Sequence, residues 1–306
     1  MPSIVQFFHP GPEHGCDFTN RDNLQIKAWN ECGEKHRRKF MLHDGDYIEN
    51  GTKYSGKLLF WGEWEPPSIV EKLLQNNCGN EFPKNLHYPF LPNMKKIKEH
   101  QKLGDQNTDP FIFGNSFMYS NCRQKEGAKL QKLEEGSLIL FGSRVNMRFA
   151  IDTVFVVKKS EGYTIPVQNE YDHLGIYNEI VLKMLHIGKK KNSPSRLVLY
   201  TGAPYCNPVQ NMYSFVPAMK YNGGKRAFPR MVMPNDFYTR KEFQNYFSAH
   251  KNENGNISEK KAMGFKIKDD LSLKDIKVFW NYLKNAVSKN YVLGVNFKMP
   301  EYKNIA

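Results

Sequence analysis

Short runs of β-branched, leucine and aromatic residues, each cut off by proline or glycine, constrain this chain more than any other feature. Residues 4–8 (IVQFF) run into His9-Pro10-Gly11-Pro12, where two prolines cannot continue a strand ladder. Residues 57–64 (KLLFWGEW) stop at Pro66-Pro67, and 137–141 (SLILF), 149–158 (FAIDTVFVVK) and 196–200 (RLVLY) follow. All are strand-length and rich in strand-forming side chains. Residues 39–43 and 47–49 flank Asp44-Gly45-Asp46, whose residue types predict a hairpin turn. A loop is expected over 142–147 and short helices over 127–133 and 177–187. The single long amphipathic helix falls at 273–289, with Ile276, Phe279, Trp280, Leu283 and Val287 on one stripe, and a final strand at 290–297. Residues 76–110 read as a long irregular excursion and 248–258 as an exposed polar loop. The whole predicts one α+β domain over 1–306, with a small, strongly bent or barrel-like sheet and a few peripheral helices.

The charge is uneven. The 306 residues carry 44 Lys+Arg against 31 Asp+Glu, a net +13. Between residues 183 and 241 there are eleven basic side chains and one acid, Asp236, interleaved with eight phenyl or phenol rings. Cations hold phosphates and flat rings stack on bases, so this stretch is expected to meet DNA, RNA or a nucleotide. Lys220, Lys225, Arg226 and Arg230 are its central phosphate candidates, joined by Arg37 and Arg38 from His36-Arg37-Arg38. The same composition also suits a solvated basic face over core aromatics. Cys16, Cys32, Cys78, Cys122 and Cys206 are scattered and odd in number, which favours a reducing cytoplasm over a disulfide framework. No apolar window reaches the roughly 18 residues of a membrane span, so no membrane is expected. Walker, GxGxxG, HExxH, GxSxG and CxxC patterns are missing, and no cofactor is expected.

Four constellations carry chemistry. His9, His14, Cys16 and Asp17 are metal-ligating types, but no second Cys/His pair completes a zinc set, so no metal is expected. The loop, stiffened by proline, can instead present His9 and His14 to an anionic ligand. Asp44 and Asp46 fit either turn chemistry or a divalent cation. In Phe60-Trp61-Gly62-Glu63-Trp64, strand alternation sets Trp61 and Glu63 on one face. With Trp64 near by, this can form an aromatic and acidic cage for a heterocycle, or a tryptophan-rich core strand. Gly114-Asn115-Ser116 offers Asn115 and Ser116 to the polar edges of a base. An enzyme acting on nucleic acid, a metal-dependent nuclease or a base-excising glycosylase, is the alternative to a binding protein. It would draw on Asp44, Asp46, Glu63 and Asp152, with His9 or His14 as acid or base. A third reading is a protein-interaction subunit whose basic face meets an acidic partner.

Residues 130–157, with Glu135-Gly136-Ser137 at the turn, resemble the central hairpin of PUA-like domains of the EVE and ASCH type. In those domains the turn is Gly-Asp rather than Gly-Ser. More broadly, the HPG-x-EH start, the FWGEWEPPS strand and the LFGS hairpin look like nucleotide-modification-associated proteins of bacteria and phages. That resemblance implies recognition of a modified base in a phage-defence or restriction setting.

Overall fold

The computed structural model describes residues 1–9, 13, 24–29, 37–73, 82–92, 107–125, 127–145, 148–165, 169–186, 195–224, 227–233, 264–269 and 271–303. Strands dominate. One seven-stranded sheet contains β1 (Ile4–His9), β7 (Met118–Tyr119), β8 (Leu138–Val145), β9 (Arg148–Ile165), β10 (Ser195–Gly202), β12 (Met231–Val232) and β13 (Gly264–Lys268). Its path is β13-β1-β8-β9-β10-β7, with β12 also on β9. The second contains β2 (Leu24–Lys27), β3 (Lys39–Glu49), β4 (Thr52–Gly62), β5 (Ser68–Lys72), β6 (Asn85–Pro89), β11 (Val216–Lys220) and β14 (Val292–Phe297). Its order is β14-β11-β4-β3-β6-β5-β2. The strand-rich, helix-poor expectation is met, but no barrel closes among the described strands.

Alternation along the strands builds the core between the sheets. Val5, Phe7, Ile139, Phe141, Phe155 and Val157 meet Met41, Leu58, Phe60, Val216 and Phe297 in one buried cluster. Ile4, Phe8, Leu138, Leu140 and Val156 alternate with them and pack on the long helix α1 (Leu273–Ser288) through Ile276, Phe279, Trp280 and Leu283. That helix begins at a capping box: Ser272 accepts from the Asp275 amide, and Asp275 accepts from the Ser272 amide.

Several element boundaries differ from expectation. The 44–46 turn is strand: β3 pairs with β4 without interruption from Lys39↔Gly62 to Glu49↔Thr52. The reversal comes at Asn50-Gly51, both at positive φ (50° and 80°), as a two-residue hairpin turn demands. The loop expected at 142–147 is strand through Val145, held by β9 to that point and by β1 as far as Ser143. The helix expected at 177–187 is a π turn, Asn178–Leu182, followed by a 3-10 turn, Lys183–His186. A 3-10 turn at Ala128–Gln131 fills the place of the first short helix. Within 76–110, residues 85–89 form β6. Residues 248–258 lie outside the described residues.

Candidate functional site: a buried charged cluster where the sheets meet

His9 ends β1, and the parallel register with β8 sets it beside Ser143. Arg38 leads into β3 and Glu63 follows β4; since Lys39 pairs with Gly62, they are the next pair along the ladder. Asp152 enters through an irregularity in β9. Phe141 pairs with Thr153 and Gly142 with Ile151, so Asp152 is the extra residue of a β-bulge, a device that re-aims a side chain. Gly142 makes this possible, because a Cβ there would meet the Ala150 carbonyl and the Phe149 ring. Arg230 comes from a segment that straps the sheets together. Phe228 packs edge-on to Phe40 of β3 at 5.2 Å, and Met231 pairs with Ile151 of β9.

The side chains converge. Arg38 Nη2 donates to Glu63 Oε2 at 3.0 Å and contacts His9 Nδ1, while Arg38 Nε lies 3.6 Å from Asp152 Oδ2. His9 Nδ1 is 3.4 Å from the same Glu63 oxygen. A guanidinium N–H facing Nδ1 makes that nitrogen the acceptor, so the neutral ring carries its proton on Nε2. Arg230 donates to the Ser143 hydroxyl and lies 4.0 Å over the Trp61 ring. His9, Arg38, Glu63, Asp152 and Arg230 are all under 10% exposed. Burial raises the Asp152 carboxyl above its usual range, against the pull of Arg38 and Arg230. The Arg230 guanidinium is lowered by the same desolvation, with Asp152 opposing.

Much of this cluster's hydrogen-bonding capacity is unused. His9 Nε2, Arg38 Nε and Nη1, Arg230 Nε, Trp61 Nε1 and both Asp152 carboxylate oxygens are buried with no hydrogen-bond partner. Each such group costs about 1–3 kcal/mol, more when charged, unless something binds it. The arrangement can grip a small polar group that brings several acceptors and at least one donor.

The remaining sequence candidates fall elsewhere. Arg38 and Arg230, expected as surface phosphate contacts, are buried parts of the cluster. Trp64 is a core residue, its indole donating to the Pro67 carbonyl at 3.0 Å and its rings packed on Phe111 and Phe113. Trp61 is 3% exposed, between Arg230 and a tilted Phe40, so it offers no open stacking face. Asn115 is exposed and Ser116 half-buried, in the turn between Phe113 and Phe117. Arg37 is exposed; Lys220 is exposed and paired with Glu49 at 2.7 Å. Of the rings interleaved with the basic stretch, Tyr200, Tyr213, Phe215 and Phe228 are core residues. Asp44 and Asp46 face Lys57 and Lys53 across the β3–β4 ladder. Among the described residues no group of His, Cys, Asp or Glu could hold a metal ion. Cys122 is half-buried, its thiol pushed well up by desolvation, and Asn107 donates to its sulfur. His14, Lys225 and Arg226 lie outside the described residues.

Ser143 and Glu13 were not singled out from sequence. Glu13 bridges to Arg38 in a parallel pairing and accepts from the Lys84 and Asn85 amides. The glycine of LFGS, before a serine and opposite a lone acid in an apolar strand, was the available signal for Ser143. Comparison with family models, with curated proteins and with solved structures finds no match to this chain. Among the described residues no helix is long and apolar enough to cross a membrane.

Proposed function

We propose that this protein binds a nucleotide, free or as a single unit of DNA or RNA, and grips it at the buried cluster. One observation carries the reading. Donors from Arg38, Arg230, His9 and Trp61 and the acceptor-only carboxylate of Asp152 lie together, buried and without hydrogen-bond partners. A nucleotide brings the complement: phosphate and carbonyl acceptors, with hydroxyl or amino donors. Burial limits access to one unit, so a base in a duplex must be extruded, at a cost of a few kcal/mol. Arg37 and Lys220, on the surface, then meet neighbouring phosphates, and the resemblance to nucleotide-modification-associated proteins makes a modified base the favoured ligand.

A second reading, chemistry on the same ligand, draws on the imidazole–carboxylate pair of His9 and Glu63 beside Asp152. His9, with its proton on Nε2, can donate to the ligand, with Asp152 as base and two guanidiniums for developing charge.

Calorimetric titration with nucleoside monophosphates and short single strands tests the first reading. Arg230→Gln is expected to weaken binding by about tenfold or more, the worth of one charge-assisted hydrogen bond. Absence of binding to every nucleotide and oligonucleotide tried would sink the proposal. Chromatography of the same mixtures, with and without Mg²⁺, shows whether a product forms.

A further inference from the structure

We propose that the cluster is a pocket for a phosphoryl group that still carries a proton, the end of a phosphomonoester, and that Asp152 reads that proton. The inference rests on the nucleotide reading and narrows it to a free nucleotide or a strand end, whose terminal phosphate, not its base, the cluster holds.

A pocket for any oxyanion would be lined by donors alone. Here Arg38 Nε and Nη1, Arg230 Nε, His9 Nε2 and Trp61 Nε1 have no partner, and a carboxylate with neither oxygen hydrogen-bonded sits among them. Arg38 Nε lies 3.6 Å from Asp152 and Arg230 acts on it electrostatically; His9 and Glu63 lie across Arg38, and Glu13 acts on Arg230. The two guanidiniums supply the charge that draws an oxyanion in and the N–H groups that fit its oxygens. The carboxylate repels an oxyanion that has lost every proton and accepts a hydrogen bond from a P–OH. A phosphomonoester has its second pKa near 6, so a share of it carries that proton around neutral pH. Sulfate has the same shape and no proton, and an internal phosphodiester has none either. A carboxylate fixed at this spot therefore admits a terminal phosphate and turns away both.

The geometry of β9 supports a placed group rather than an accidental one. Asp152 is the bulge residue, and Gly142 is the one residue type that lets the opposite strand close over the bulge.

The test is calorimetry with inorganic phosphate, sulfate and methyl phosphate, at fixed ionic strength, at pH 6 and pH 8. Phosphate is expected to bind, with sulfate weaker by at least about tenfold, as when a site built for a hydrogen bond meets an analogue that lacks the proton. Methyl phosphate, which loses its last proton across this range, should bind more weakly at pH 8 than at pH 6, whereas inorganic phosphate keeps a P–OH throughout. Asp152→Asn should bring the two anions to within about threefold of each other, since the amide donates to both. Where melting shows that this variant does not fold, the pH series and the sulfate comparison on the unmutated protein decide. Equal binding of phosphate and sulfate, or methyl phosphate affinity rising with pH, overturns the inference. Binding of a nucleotide with neither anion bound also overturns it, and leaves the nucleotide reading standing. No binding of anions or nucleotides brings down both.

Discussion

Arg38 and Glu63 face each other with about a hundredth of either side chain exposed. Removing one partner leaves the other's charge buried, so Glu63→Gln is expected to lower the unfolding free energy by about 3–5 kcal/mol in urea titrations. Asp44→Asn, at a half-exposed pair with Lys57, is the control that should change it little. Half of this pair was legible in the sequence. Strand alternation sets Trp61 and Glu63 on one face, and Asp152 stands out as a lone acid in FAIDTVFVV. The arginines were not legible. Arg38 sits in a His-Arg-Arg-Lys run and Arg230 in the most basic stretch, and both look like surface cations. What buries them is a long-range register and a strap between sheets, neither of which leaves a local trace.

The β3–β4 hairpin separates two uses of glycine at the scale of an element. Gly51 turns the chain with a φ of +80° that other residues enter at a cost of about 1–2 kcal/mol. Gly45 lies in mid-strand, where a Cβ would come 2.6 Å from the Asn296 carbonyl of β14. Asp-Gly-Asp reads as a turn because the residue types suit one. The glycine is there so that a third strand can approach, and that depends on residues 250 positions away. Gly45→Ala is therefore expected to lower the melting temperature more than Gly51→Ala, because its clash is with backbone that cannot rotate aside. Thermal melts of the two variants, followed by circular dichroism, check the order. The helix α1 was legible to within one residue, since its apolar stripe is local.

Over the whole molecule, the strand-rich, helix-poor character followed from local runs, while the split into two sheets did not, because pairing partners are set by distant segments. The buried aromatic core also fixes how the protein responds to alkali. Desolvation raises the hydroxyls of Tyr119, Tyr163 and Tyr177 well above their ordinary value, and those of Tyr200 and Tyr213 to about 12. Above pH 10 the unfolded chain gives up these protons while the folded chain holds them. The stability they lend is complete below the ordinary value and is lost as pH climbs toward the raised ones. Five such groups give a slope of up to about 7 kcal/mol per pH unit in that window. Melting curves collected from about pH 9 to 11 should show a steep fall; a flat profile would mean that the phenols are not buried in solution. The parallel pairing of β1 with β8 carries a consequence in time. Ile4 lies against Leu138, so closing that ladder means closing a loop of more than a hundred residues, and such topologies fold slowly. The five cluster residues are spread from His9 to Arg230, and on a ribosome the first waits for the last. The buried charged cluster comes into being only when most of the chain has been made, so its completion doubles as a record of how much of the chain has found its place.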